Sequence, residues 1–187
     1  MEYFFYCRDK PGSLELRTQL VEAHWSFMDG YAEGMIARGP TLADDGVTPT
    51  GSLHIVDLPD AEAARVFAFE EPNYKAGVYA EVFVRRWRNA LGRTMWQFTG
   101  EPESVRFLVI AHGTPNQDDG GWDFAALRDR LIVCGPLLAE DGSSWVGDAL
   151  AVESPSAAAV EEFLDLPARA GLYEHVEIHR WQFGGRD

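Results

Sequence analysis

The chain has 187 residues, 46% hydrophobic and 12% aromatic, with a net charge of −14 at neutral pH. That is enough apolar material for one domain or two small ones, and the acidic balance excludes a nucleic-acid surface, which needs clustered Lys and Arg. No apolar run approaches the roughly 20 residues that span a bilayer, so a soluble cytoplasmic protein is expected.

The first residues, "MEYFFYCRDK", lack the basic start and long apolar stretch of a signal peptide. Residues 3–7 read as an apolar strand. Cys7 lies in it, and Cys134 lies in the later run "LIVCGP", so both read as buried free thiols. The segment "SLELRTQLVEAHWSFMDGYAEGMI" predicts one helix with Ser13 as its N-cap. Leu20, His24, Phe27 or Met28, and Tyr31 recur on one face of it. "RGPTLADDG", residues 38–46, follows as a short strand and a turn. "GSLHIVDL" has strand-like composition, "DAEAARVFAFE" reads as a helix after a Pro, and "AGVYAEVFVRRW" alternates as a closing strand. The Arg-rich "VRRWRNALGR" is the end of that strand rather than a nucleic-acid patch. A polar connector, "GRTMWQFTGEPES", comes next, in which residues 95–98 have the composition of a further short strand.

The remainder repeats the first half. "CGPLLAEDG", residues 134–142, matches "RGPTLADDG" at an offset of 96, and "AGLYEHVEIHRW" matches "AGVYAEVFVRRW" at an offset of 94. The openings "YFFYCRDKPG" and "RFLVIAHGTP" correspond at an offset of 104, so the first helix of the second copy is about eight residues shorter. A fixed internal repeat marks a duplicated unit. Each copy reads β-α-β-β-α-β, the ferredoxin-like order. Helices on one side of such a sheet leave its other face bare, and a second copy is the natural cover. The expected architecture is therefore α+β: a unit at 1–92 and another at 104–187, joined by 93–103 and packed as an intramolecular pseudo-dimer.

His24 on an apolar helix face is ordinarily a satisfied core residue. The two carboxylates ending "GPTLADD", Asp44 and Asp45, are equally good turn formers. A carboxylate beside an inward histidine would orient the ring and fix its tautomer. In the second copy Glu140 and Asp141 stand at the matching places.

The opening "YFFYCRDKPGSLELR", the helix with "AHW", the "GPTLADD" segment and the closing "AGVYAEVFV" together resemble the YCII-related family. The resemblance covers residues 1–88 and, more weakly, 106–183. It implies the dimeric α/β barrel fold and a site in which a helix His and the Asp ending the G-P-x-x-x-x-D segment form a dyad. Those positions here are His24 and Asp45. Relatives in that family include chloromuconolactone dehalogenase. The second copy departs from the pattern: the position matching His24 is Gly120, so one intact site per chain is implied and Asp141 marks a degenerate one.

The last strand of the second copy places Tyr173, His175, Glu177, His179 and Trp181 on one face, with His112 near if the opening strand lies beside it. A hydrogen-bonded polar patch is the simpler reading. A metal is the alternative: His175 and His179, four apart on a strand, lie about 13 Å apart, too far for one ion, but His175 with Glu177, or Glu177 with His179, together with His112 would serve. Tyr79 and Tyr173, and Trp87 and Trp181, sit at matched places and read as core or interface residues. With Trp25, Trp122 and Trp145 they are also candidates to line an apolar pocket. No phosphate loop, nucleotide fingerprint, CxxC or serine-hydrolase elbow is present, so no cofactor is expected.

Two functions remain open. One is a cofactor-independent lyase, isomerase or hydrolase acting on a small molecule between the two units. There His24 is the acid–base group, Asp45 its partner and Asp44 a second candidate; Trp25, Tyr79, Tyr173, His175, His112 and Asp141 are candidate substrate contacts. The other is a non-catalytic ligand-binding protein or pseudoenzyme. The partner is a small molecule, not nucleic acid or membrane, and the chain is a monomeric pseudo-dimer or a homodimer.

Overall fold

Alternation sets the two faces of the first strand, β1 (Glu2–Asp9). Phe4 and Tyr6 point one way, Tyr3 and Phe5 the other, and all four are buried. A strand apolar on both faces needs a cover on each. Tyr3 and Phe5 pack under helices, with Met28 and Phe67. Phe4 and Tyr6 pack against Leu108, Ile110 and Ile132 from the other half of the chain.

The structure, a computed structural model, describes residues 1–101, 104–114, 127–165 and 171–185. After β1 come α1 (Leu14–Gln19), α2 (Val21–Asp29), β2 (Met35–Leu42), β3 (Pro49–Asp57), α3 (Ala61–Phe69), α4 (Pro72–Lys75) and β4 (Tyr79–Trp87). The second half supplies β5 (Arg106–Gly113), β6 (Leu131–Leu138), β7 (Trp145–Glu153), α5 (Ala157–Phe163) and β8 (Tyr173–Trp181). All strand pairings are antiparallel, and the sheet closes in the order β1-β3-β2-β8-β5-β7-β6-β4. This is the α+β fold expected: two four-stranded antiparallel half-sheets whose inner faces meet as a closed barrel. The expected first helix of the second copy, with Gly120 and Trp122, falls in a stretch outside the described residues. Among the described residues no helix is long and apolar enough to cross a membrane.

The two half-sheets join through short pairings. Thr41 and Leu42 of β2 meet Trp181 and Arg180 of β8; Arg86 and Trp87 of β4 meet Leu138 and Leu137 of β6. Each joint is extended by the chain leaving the closing strand. Gln182 N donates to Pro40 O at 3.2 Å and Gly184 N to Arg38 O at 3.0 Å. On the other side Arg88 N donates to Pro136 O at 3.3 Å and Ala90 N to Cys134 O at 2.9 Å.

These crossings account for the repeated Gly-Pro. A Cβ on Gly39 would collide with the carbonyl oxygen of Gln182, and one on Gly135 with that of Arg88. The acidic-Gly pairs close the next turn. Asp45 Oδ1 accepts from Val47 N and Thr48 N, both at 2.8 Å, and Asp141 Oδ1 accepts from Ser143 N at 2.9 Å. Gly46 and Gly142 follow at φ +72 and +75, in the left-handed region that glycine reaches without strain.

Three local expectations are corrected. The single long helix is two helices meeting at Leu20, whose N–H is shared between Leu16 O and Arg17 O. Ser13 does not cap it; its hydroxyl donates to Lys10 O at 2.8 Å. Residues 95–98 add no strand: Met95–Gln97 is a 3-10 turn that buries Met95 and Phe98 in the barrel core. Burying those two side chains outweighs edge pairing there, because a strand would leave one face in water.

Gly135→Ala is expected to destabilise the fold by about 1–3 kcal/mol, the usual cost of forcing an atom into a packed site. Gly171→Ala, where an added Cβ meets nothing within 4 Å, is expected to stay within about 0.5 kcal/mol. Urea unfolding of both variants checks the difference.

Candidate functional site

His24 lies on α2, which packs beside α4 at one end of the first half-sheet. Its Nδ1 is 2.6 Å from Oε1 of Glu71, and both side chains are largely withdrawn from water, at 12% and 4% exposure. Glu71 is positioned by the backbone around it. It is the N-cap of α4, with Oε2 accepting from Tyr74 N at 2.8 Å, and Pro72 sets the first helical turn. In a neutral ring, hydrogen on the Nδ1 that faces the carboxylate would leave Nε2 with a lone pair.

His24 lines a cavity of about 220 Å³. Its walls include Arg17, Trp25, Met28, Arg38, Pro40, His54 and Asn73 from the first half, and residues 182–185 from the second. Among the described residues no Asp or Glu lines it, although carboxylates stand behind the cations. Arg17 donates to Asp9 Oδ1 at 3.0 Å and to Ser52 Oγ at 2.8 Å. Arg38 donates through Nε to Gly184 O at 3.3 Å and lies 3.8 Å from Asp29. The cavity is thus a basic recess in an acidic protein. His54 on β3 is buried against Phe67, with its ring centroid 5.5 Å from that of His24. Burial holds it well below the ordinary histidine range, with the charges of His24, Arg17 and Arg38 acting the same way.

The carboxylate that meets His24 is therefore Glu71, and the expected pairing with Asp45 is corrected. The oxygens of Asp45 are taken up in its own exposed turn, where bonds from the Thr48 side chain, Thr48 N and Val47 N push it down to about 2. A carboxylate so engaged is a local turn device. Asp44 is also exposed; its backbone carbonyl accepts from Arg180 at 3.0 Å, and it borders a different cleft, beside Tyr6 and His179. Trp25 is in the cavity wall as expected. Tyr79 stands one layer back, its hydroxyl accepting from Asn73 Nδ2 at 3.2 Å. Tyr173 is in the core of the second half, where it donates to Asp148 Oδ2 at 2.8 Å and its ring lies 5.9 Å from Trp145. Asp141 serves its turn with Ser143.

His112 and His175 belong to a second polar cluster, at the junction of the halves. Glu177 Oε1 accepts from His112 Nε2 at 3.0 Å, while Oε2 accepts from His179 Nε2 at 2.9 Å and from Arg8 at 2.7 Å. The His112 and His179 bonds, then Arg8, hold the Glu177 carboxyl far below the usual range despite burial. His175 stacks on His112, centroids 5.7 Å apart. Among the described residues no three His, Cys, Asp or Glu side chains are grouped to hold a metal ion. Cys7 and Cys134 are buried free thiols; burial pushes both up, Cys134 to about 12.

Glu71, Asn73, Arg38 and the 182–185 tail were absent from the expected site. Only "EPNY" carried a readable signal, an acid followed by Pro as at a helix start. The tail is distant in sequence and reaches the cavity only through barrel closure.

His54 gives a pH prediction. Its depressed folded value means that the unfolded chain alone takes up a proton as pH falls below about 6.5, so its stabilising contribution is present above that pH and lost below it. His54→Leu is expected to flatten the acid side of the stability–pH profile between about pH 6.5 and 5, as read by urea midpoints.

The comparisons with known proteins fit this placement. The model of the YCII-related domain matches residues 1–88. An uncharacterized protein of Haemophilus influenzae is 33% identical over 95 residues, 47% of this chain and 97% of that protein. Protein YciI of Escherichia coli O6:H1 is 35% identical over 95 residues, with the same coverage. Chlorite dismutase from Candidatus Nitrospira defluvii, solved with imidazole, shares the fold over 97% of this chain and 91% of that one, at a TM-score of 0.53 and 10% identity. The domain match over residues 1–88, which include His24 and Glu71, and the two relatives covered over 97% of their own length show that the chain belongs to the YCII-related family.

Proposed function

We propose that the chain is a small-molecule enzyme in which His24 moves a proton, held by Glu71, in chemistry that its side chains alone can perform. The reaction is of the lyase, isomerase or hydrolase type, with proton abstraction next to a carbonyl, or loss of a leaving group, as its central step. The observation that carries this is the 2.6 Å bond between His24 and Glu71 in the wall of a recess. Glu71 fixes the tautomer and would stabilise the imidazolium formed when Nε2 takes a proton. The neighbouring guanidinium groups of Arg17 and Arg38 suit an oxygen that gains negative charge as the carbon loses its hydrogen.

In this reading the halves are two copies of one unit, 1–92 and 104–187, joined by 93–103. The first carries the site, and the second braces it and supplies one wall. Asp45 and Asp44 have no part in the proton transfer.

Deuterium wash-in tests the reading. In D2O the wild type is expected to accelerate exchange of the α-hydrogens of at least one compound in a panel of small cyclic ketones and lactones. His24→Gln should lower that rate by about 10²–10⁴, and Glu71→Gln should lower it in the same direction. Exchange that is indifferent to His24→Gln would overturn the reading. Compounds that bind beside His24 without any exchange would favour the ligand-binding alternative.

A further inference from the structure

Asn73 is 1% exposed and stands in the wall of the His24 cavity, two residues after Glu71. Its Nδ2 donates to the Tyr79 hydroxyl at 3.2 Å, and its Oδ1 is buried with no hydrogen-bond partner among the described residues. An unmet buried carbonyl costs free energy, and such groups are rare in folded proteins. The other orphaned atoms, Arg86 Nε, Trp145 Nε1 and Trp181 Nε1, are not in residues that line this cavity.

The amide has two orientations, and both leave a gap. With Nδ2 on the Tyr79 oxygen, the carbonyl is open. Turned over, the carbonyl accepts from the Tyr79 O–H and the NH2 is open instead. A hydroxyl is donor and acceptor at once, so it answers either arrangement. Tyr79 is itself buried and far from ionising, because burial raises it, so it backs the amide as a neutral hydroxyl.

We propose that Asn73 is a specificity-determining residue that reads a hydroxyl group on the ligand of the His24 cavity. The substrate class is thereby narrowed to small hydroxylated carbonyl compounds, with the carbonyl toward the basic side of the recess and the hydroxyl on the Asn73 amide. A site built around a polar partner discriminates strongly against the analogue that lacks it, because the buried group is then left unmet. The inference rests on the His24 cavity being the ligand site, but not on the proton transfer.

The test uses a matched pair, α-hydroxy-γ-butyrolactone and γ-butyrolactone, titrated into the full chain by NMR while the side-chain amide signals of Asn73 are followed. The hydroxylated lactone is expected to bind at least tenfold more tightly and to shift those signals. Asn73→Leu should remove the preference, the ratio of the two affinities falling to within about twofold of one; Asn73→Ser, a smaller polar variant, should retain part of it. His24→Gln should keep the preference intact, so a failure of catalysis and a failure of this assignment read differently. A preference that survives Asn73→Leu, or Asn73 signals that neither lactone moves, would overturn the proposal and leave the amide a structural group.

Discussion

Two backbone crossings hold the barrel together, and the rest of the molecule depends on them. Each half-sheet ends in a strand whose exit segment runs on beside the Gly-Pro of the other half, and the main chains approach too closely there for any side chain. The direct strand pairing at each joint is short. The extra hydrogen bonds from residues 182–184 and 88–90 lengthen it. Without glycine at 39 and 135 those segments would lift away. The apolar faces of both half-sheets, including Phe4, Leu108 and Ile132, would then meet water.

The same crossing shapes the site. The segment that passes over Gly39 continues past the mouth of the His24 cavity, where Gly184 O accepts from Arg38. One wall of a recess belonging to the first half is therefore made by residues 182–185 of the second. A point of mechanical closure and a point of chemistry share one stretch of backbone.

The halves use charge differently on this common frame. In register with Tyr6 stands Phe83, whereas in register with Ile110 stands Glu177. The carboxylate of Glu177 is saturated by Arg8, His112 and His179, an arrangement that joins the two halves and leaves little capacity for chemistry. Among the described residues Glu71 holds one histidine and a backbone N–H. Its histidine keeps one ring nitrogen for another partner. That asymmetry, more than the presence of histidine, separates a structural cluster from a candidate site.

The sequence by itself pointed to the β-α-β-β-α-β order of the first half and to the α+β barrel, because strand alternation, the Gly-Pro pairs and the Ala-rich helices are local patterns whose period survives in one dimension. It also marked His24 as an inward-facing histidine. Only the tertiary structure decided which acid meets it. Asp45 lies in a segment that ends in a turn, and its oxygens are consumed by the N–H groups two and three residues on. Glu71 is brought to His24 by the packing of α4 against α2, 47 residues apart in the chain. Helix-to-helix distance is a property of the packed core. Capping signals in the sequence locate a carboxylate at a helix start, but not what its second oxygen will face.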